Sequence, residues 1–340
     1  MAADSKGIRA ATHVLALRET FQIARGAADE ETVVALEIQR DGIIGRGEGA
    51  PVDYWGETPE GIVEALEAEG DSVIGDDPFA ALERVKAWDG PQGAKMALDG
   101  ALHDWIGRRV GQPTWRLLGT SKLTPPTSYT IGIDTVEGTA DRTRRATGYE
   151  VLKIKVGGAS DLERLRAVRA ETDARLRIDG NEGWTLDTAR GLTPELLSLG
   201  VEFVEQPFPA DDIEAFLAYR DLDLRLPVLI DEGCRDLGSV AGIAEYADGI
   251  VIKLSKCGGI REALRMIHAA RALGLKVMLG CMIESELGIA QAAQLGSLVD
   301  YIDLDGHLLI SSQPFSGLGL RDGRLVLSER PGLGVEPSDG

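Results

Sequence analysis

Val151-Leu-Lys-Ile-Lys155 sets two lysines at alternate positions of a run that is otherwise apolar. A short run of this kind reads as a strand covered on both faces, where unbroken hydrophobicity is the rule. Side chains two apart on a strand share a face, so Lys153 and Lys155 point the same way. Keeping two ammonium groups away from water is costly unless something anionic meets them there.

Outward from this stretch the texture repeats. Leu176-Arg-Ile-Asp179, Val201-Glu-Phe-Val-Glu205, Val228-Leu-Ile-Asp231 and Gly249-Ile-Val-Ile-Lys253 are apolar runs that each close on an ionisable residue. From Lys155 those closing residues follow at intervals of 24, 26, 26 and 22 positions, with amphipathic helical patterns between them. One more strand is expected before them, at Thr127 to Ile133, and two after, at Lys276 to Gly280 and Tyr301 to Asp305. Eight strands alternating with helices predict an α/β fold, a (β/α)8-type (TIM-like) barrel whose strands, numbered one to eight here, follow chain order around the ring. Catalytic groups of such barrels sit at the C-terminal ends of the strands. Ionisable residues at five consecutive strand ends therefore predict a site.

Upstream, residues 10 to 50 alternate apolar and polar positions and turn at Asp41-Gly42, which predicts an antiparallel meander. Helical patterns follow at about 58 to 70, 77 to 87 and 93 to 109, so residues 1–122 read as a separate α+β domain. Leu123-Thr-Pro-Pro-Thr127 marks the break, residues 123–310 form the barrel, and residues 311–340 are expected to pack back on the first domain.

Composition narrows the function. The 340 residues include 36 basic and 55 acidic side chains, a net charge of −19, which argues against nucleic acid or an anionic membrane as partner. Met1 to Arg9 lacks the apolar centre of a leader, and no run nears the ~18 apolar residues that span a bilayer, so a cytoplasmic protein is expected. Cys234, Cys257 and Cys281 are far apart and suit reduced thiols. His13, His103, His268 and His307 are too scattered for a histidine metal centre.

Asp179, Glu205 and Asp231 end strands three, four and five and form an acidic arc. Like charges held together need a cation among them, and an all-oxygen set suits Mg²⁺, with Mn²⁺ the other candidate. The competing reading is that lysine or arginine neutralises them. Lys155 on strand two and Lys253 on strand six lie four strands apart in a ring of eight, so they face each other. A carbon acid between them, its carboxylate on the cation, would lose a proton to one amine and regain one from the other on the opposite face. Lys153 is expected to keep Lys155 basic, and Lys256 to lie behind the site or in solvent. Asp303-Leu-Asp305 on strand eight lies opposite strand four and suits a substrate ammonium. Gly157-Gly158 and Gly258-Gly259 would serve either as tight turns or as phosphate cradles.

Several stretches together resemble the enolase superfamily, in particular its muconate-lactonizing-type subgroup: Thr20-Phe-Gln-Ile-Ala-Arg-Gly26, Gly45-Arg-Gly-Glu-Gly-Ala-Pro51, Lys153-Ile-Lys155, Asp179-Gly-Asn181, Val204-Glu-Gln-Pro207, Asp231-Glu232, Ile252-Lys-Leu-Ser-Lys-Cys-Gly-Gly259 and Asp303-Leu-Asp-Gly306. Within it the chain is similar to dipeptide epimerases of the L-Ala-D/L-Glu type. The resemblance implies a barrel with an N-terminal capping domain, Mg²⁺ on Asp179, Glu205 and Asp231, and Lys155 and Lys253 as the acid/base pair. It also implies that Asp303 and Asp305 hold the ammonium of a small-molecule dipeptide, with Lys153 beside the substrate and Asn181, Glu232 and Lys256 supporting the site. Phe21 to Asp29 matches a lid loop, where Arg25 would pair with a side-chain carboxylate of the second residue. His307 departs from the small residue or proline expected after Asp-Gly. The implied substrate is an Ala-Glu-type dipeptide from murein peptide turnover; whether the chain is a homo-oligomer is left open. The rival readings are an o-succinylbenzoate synthase, a muconate-type cycloisomerase, an N-acylamino-acid racemase, or a catalytically silent metal-dependent binding protein.

Overall fold

The computed structural model describes residues 7–338, so most of the Met1 to Arg9 reading lies outside the described residues. The chain begins with an antiparallel sheet of β1 (Gly7–Ile23), β2 (Gly26–Arg40) and β3 (Ile43–Gly49). Asp41 (φ 51°) and Gly42 (φ 71°) both take the left-handed conformation that a two-residue hairpin turn requires. On β3, Gly45, Gly47 and Gly49 share the face that meets the helix Gln92–Val110. A Cβ at Gly47 would stand 2.2 Å from the Ala97 carbonyl oxygen, and one at Gly49 only 2.0 Å from that of Gly93. The helix thus rests on strand backbone, and only glycine allows it. The helices Pro59–Ala65 and Pro78–Ala87 complete this layer around Leu36, Ile38, Leu66, Leu98 and Leu102.

After β4 (Leu123–Pro126) come β5 (Tyr129–Ile131), β6 (Val151–Lys155), β7 (Arg175–Asp179), β8 (Val201–Glu205), β9 (Val228–Ile230), β10 (Gly249–Lys253), β11 (Lys276–Gly280) and β12 (Tyr301–Ile302). These last eight are parallel neighbours in chain order, and a bridge between Thr127 and Ile302 joins the first to the last. They are the expected strands one to eight. Three are shorter than expected: strand one spans Tyr129–Ile131, strand five stops at Ile230, one residue before Asp231, and strand eight stops at Ile302, so Asp303 and Asp305 project from the turn that follows. Outward-facing Ile154, Ile178, Val204, Ile230, Ile252 and Leu279 form the main core with the surrounding helices. Inside the ring, Phe203, Leu229, Val251 and Met278 make a layer below the strand ends. Arg177 is buried in that layer, its guanidinium 5.3 Å from the Phe203 ring and 4.7 Å from that of Tyr301.

The tail adds β13 (Phe315–Ser316), β14 (Gly319–Arg321), β15 (Arg324–Val326) and β16 (Glu336–Pro337), with β15 paired to β4. Glu336 takes ion pairs from Arg46 at 2.7 Å and Arg108 at 2.8 Å, and Asp104 accepts from the Leu333 amide at 2.7 Å. Residues beyond 310 therefore contact both β3 and the helix Gln92–Val110. No helix among the described residues is long and apolar enough to cross a membrane.

Candidate active site

Lys155, Asp179, Glu205 and Lys253 are the last residues of their strands, and Asp231 follows Ile230 directly. Strand register places Lys155 beside Asp179 and Asp179 beside Glu205. All five are buried at the barrel mouth. Period two puts Lys153 on the same inward face as Lys155, as the sequence reading required.

The charges are shared out between lysines and carboxylates. Lys155 Nζ lies 2.7 Å from Asp179 Oδ2 and 3.1 Å from Asn181 Oδ1. Lys153 Nζ reaches Asp179 Oδ2 at 3.0 Å, Glu205 Oε2 at 2.7 Å and Asp303 Oδ2 at 2.7 Å. Across the ring, Lys253 Nζ lies 2.7 Å from Asp231 Oδ2 and Lys256 Nζ lies 2.5 Å from Asp231 Oδ1. Burial works to raise the Asp179 carboxyl, but Lys153 and Lys155 outweigh it and hold the group well below the usual carboxylate range. Lys253 and Lys256 do the same for Asp231 against its burial. Burial works against the charge on Lys153, yet Asp179, Asp303 and Glu205 hold its proton well above the usual amine range. Lys256, expected behind the site or in solvent, is buried against Asp231. Lys153, expected beside the substrate, has its ammonium enclosed by three carboxylates, so it ties the acidic arc to the aspartates of strand eight.

Glu205 is the exception. Burial, then the Asp179 charge, push its carboxyl well above the ordinary value. Neither of its buried oxygens makes a hydrogen bond; Lys153 touches Oε2 off the hydrogen-bond direction. Two orphaned carboxylate oxygens beside two further carboxylates form a donor set suited to a hard divalent cation. Among the described residues no three such side chains converge as a ready-made ligand cluster, however. Lys153, Lys155, Lys253 and Lys256 stand against the arc and offset part of its buried charge.

Asp303 and Asp305 meet at Thr130 on strand one. The Thr130 amide donates to Asp305 Oδ2 at 2.6 Å, and its hydroxyl reaches Asp303 Oδ1 at 3.5 Å. Burial, then the neighbouring Asp303 charge, push the Asp305 carboxyl up to about 7. Thr130 was missed in the sequence because a threonine on a strand carries no chemical signal.

The Phe21 to Asp29 stretch is a β-hairpin tip, not an irregular loop: β1 and β2 pair as far as Ile23 and Gly26. At its turn, Arg25 Nη1 lies 2.5 Å from Glu232 Oε1 and 3.5 Å from Glu182 Oε2, with the guanidinium 5.2 Å from the Tyr54 ring. The arginine expected to await a substrate carboxylate is thus engaged by protein carboxylates. Asn181 joins the same set through a 3.3 Å bond from Nδ2 to Glu232 Oε1. Asn181 (φ 41°), Glu182 (φ 66°) and Gln206 (φ 34°) all carry side chains in the left-handed region, the kind of local strain that gathers at functional sites.

The amides of Gly157 and Gly158 both donate to the Asp161 carboxylate. Gly258 and Gly259 combine positive φ with close contact to the first domain, where a Cβ on Gly259 would lie 2.5 Å from Asp99. His307 is buried with Nδ1 unpartnered, and burial lowers its imidazole to about 4. A second acidic pair escaped the sequence reading: Glu48 on β3 accepts from Ser285 N at 2.9 Å, next to Glu284. A Cβ on Gly288 would stand 2.5 Å from Glu48 Oε1 and 2.7 Å from Glu284 Oε2, so the two carboxyls converge there. Two larger hollows, of about 530 and 380 Å³, open at Arg46–Arg108–Glu336 and around Thr143–Asp173, away from the barrel mouth.

Comparison with known proteins places the chain by family and fold. The L-Ala-D/L-Glu epimerase of Bacteroides thetaiotaomicron is 36% identical over 328 residues, covering 94% of this chain and 85% of the relative. A dipeptide epimerase of Enterococcus faecalis, solved with Mg and L-Leu-L-Tyr, superposes with a TM-score of 0.90 at 32% identity, covering 97% of this chain and 99% of that one. The dipeptide epimerase of Methylococcus capsulatus, solved with Mg and L-Arg-D-Lys, gives 0.91 at 33% identity, covering 97% and 98%. Residues 7–119 match the mandelate racemase / muconate lactonizing enzyme N-terminal domain, and residues 135–340 match the enolase C-terminal domain-like family. With both halves matched in order, the chain belongs to the mandelate racemase and muconate lactonizing enzyme family of the enolase superfamily.

Proposed function

We propose that this protein is a dipeptide epimerase that inverts the α-carbon of the C-terminal residue by proton transfer between two lysines. One observation carries the reading: Lys155 and Lys253 lie on strands two and six of a ring of eight, each 2.7 Å from its own aspartate. A substrate carbon between them exposes one face to each amine. Lys155 takes the α-proton from one configuration while Lys253 supplies a proton to the opposite face, and the roles reverse for the other configuration. Asp303 and Asp305 take the dipeptide ammonium at strand eight, which fixes the register of the molecule across the mouth. Arg25 and Tyr54 cover the same opening from the first domain and limit access of water.

Asp179, Glu205 and Asp231 would hold Mg²⁺, or Mn²⁺. That cation would supply positive charge for the substrate carboxylate as the α-carbon loses its proton. The relatives solved with Mg and a dipeptide support this assignment. A cytoplasmic role on murein-derived dipeptides is part of the same proposal.

The test is to incubate a dipeptide library with the protein and Mg²⁺ in D₂O and follow loss of the α-proton by NMR. Exchange with inversion at the second residue is expected. Turnover of succinyl-type or muconate-type substrates without dipeptide exchange would replace this reading with the synthase or cycloisomerase one. Tight dipeptide binding with no exchange would leave only a binding protein.

A further inference from the structure

A cavity of about 150 Å³ lies outside the barrel, between strand one and the root of the β1–β2 hairpin. Thr130 stands in register with Lys153 and so faces the mouth, which turns Tyr129 and Ile131 to the opposite side, where they line the cavity. With Phe21 and Leu309 they give it apolar walls. Its ionic side chains are Arg18, Glu19, Arg142 and Arg145, three cations to one carboxylate in a chain of net charge −19. Glu19 is held by Arg142 at 3.2 Å and also by Arg145. Arg142 further meets Asp134, and Arg145 meets Asp141, each at 3.1 Å. Arg18 has no such partner: its Nε donates to the Leu308 carbonyl at 3.2 Å, and among the described residues no carboxylate meets its guanidinium.

We infer that this cavity is a binding site, separate from the barrel mouth, for a small free organic acid: a monocarboxylate that carries one aromatic ring or an apolar chain of similar size. The two terminal nitrogens of Arg18 form the open edge of a planar fork that matches a carboxylate. Glu19 repels such a ligand little, because its own charge is answered by two arginines of the same cavity. The apolar walls enclose a space of the size that takes benzene. A neutral guest would leave Arg18 unanswered, an inorganic anion would leave the walls unfilled, and a cation would meet three guanidinium groups. Arg18 and Phe21 come from the hairpin, Tyr129 and Ile131 from strand one, and Leu309 from the segment behind strand eight. An occupant therefore joins the hairpin that carries Arg25 to the barrel beneath it. The site stands independently of the epimerase reading.

The experiment is calorimetric titration of the full chain, with and without Mg²⁺, using phenylacetate, acetate and benzyl alcohol as probes. Saturable binding of phenylacetate is expected under both conditions, at least about tenfold tighter than either of the others, since it alone answers both the cation and the walls. Arg18→Gln is expected to weaken phenylacetate by about tenfold or more, the scale of one lost charge-assisted pair. Leu309→Phe, which fills part of the space and keeps the charge, is expected to weaken it as well. N-acetylphenylalanine, standing for a peptide end, is expected to bind more weakly because the space holds little beyond one ring; tighter binding overturns the free-acid assignment. No saturable binding, equal affinity for acetate, or unchanged affinity in Arg18→Gln overturns the site. Binding that vanishes when Mg²⁺ is withdrawn would place the acid at the barrel mouth and overturn it too.

Discussion

Lys155→Ala and Lys253→Ala should each abolish epimerisation, while each variant keeps the ability to exchange the α-proton of one configuration only. Proton NMR in D₂O with the two diastereomers supplied separately checks this, and equal residual inversion in both variants would count against two bases on opposite faces. Asp303→Asn removes one charge from the proposed ammonium site. A charge-assisted hydrogen bond is worth ~1.5–3 kcal/mol, so kcat/KM should fall by about 10- to 100-fold with the loss mainly in KM. These residues were legible because a lysine or aspartate that closes an apolar run is chemically conspicuous, and chain order in a barrel fixes which strands face each other. What each side chain touches was not legible. Nothing in Lys153-Ile-Lys155 says that Lys153 will contact three carboxylates, and nothing near Arg25 says that Glu232, more than two hundred residues later, will engage it.

At the scale of elements, β3 and the helix that begins at Glu286 meet through Glu48 and Glu284. Burial pushes the Glu48 carboxyl up to about 7 and that of Glu284 up to about 8. Glu48 is faced by the Ser285 hydroxyl and amide and the Gly288 amide; Glu284 is faced by Glu48, the Met282 amide and Lys253. A carboxyl whose value rises on folding binds its proton more tightly in the folded state. Its contribution is therefore complete below the unfolded value near 4.5 and is lost as pH rises through 7 to 8. Tm should fall between pH 5 and 8.5, and Glu48→Gln should flatten that slope; an equal slope in the variant would refute the linkage. Gly47→Ala tests the other face of β3. Its methyl would overlap the Ala97 carbonyl oxygen, and such overpacking costs ~3 kcal/mol or more, seen as a lower denaturation midpoint. The alternating glycines were visible in the sequence, but that they mark a helix lying on the strand was not. That fact depends on a partner some fifty residues away.

Across the whole molecule, the meander, the helices after it and the eight alternating strands all follow from period and chain order, and the structure places them within a few residues of expectation. The exceptions lie where tertiary contact decides. Strand eight ends early because the chain turns at Asp303 to Gly306, and the Phe21 to Asp29 stretch is a hairpin because β1 finds pairing partners on both sides. One of those pairings reaches beyond its own sheet: Leu17 bridges Ile310, and the Arg18 amide donates to the Leu309 carbonyl at 2.9 Å. The root of the hairpin is thus stitched to the segment directly behind Asp303 and Asp305. On the proposed epimerase reading, a peptide prolonged at its amino end would meet that seam. Tripeptides extended at the amino end, and N-acetylated dipeptides, should show no measurable α-proton exchange under conditions where the parent dipeptide exchanges fully.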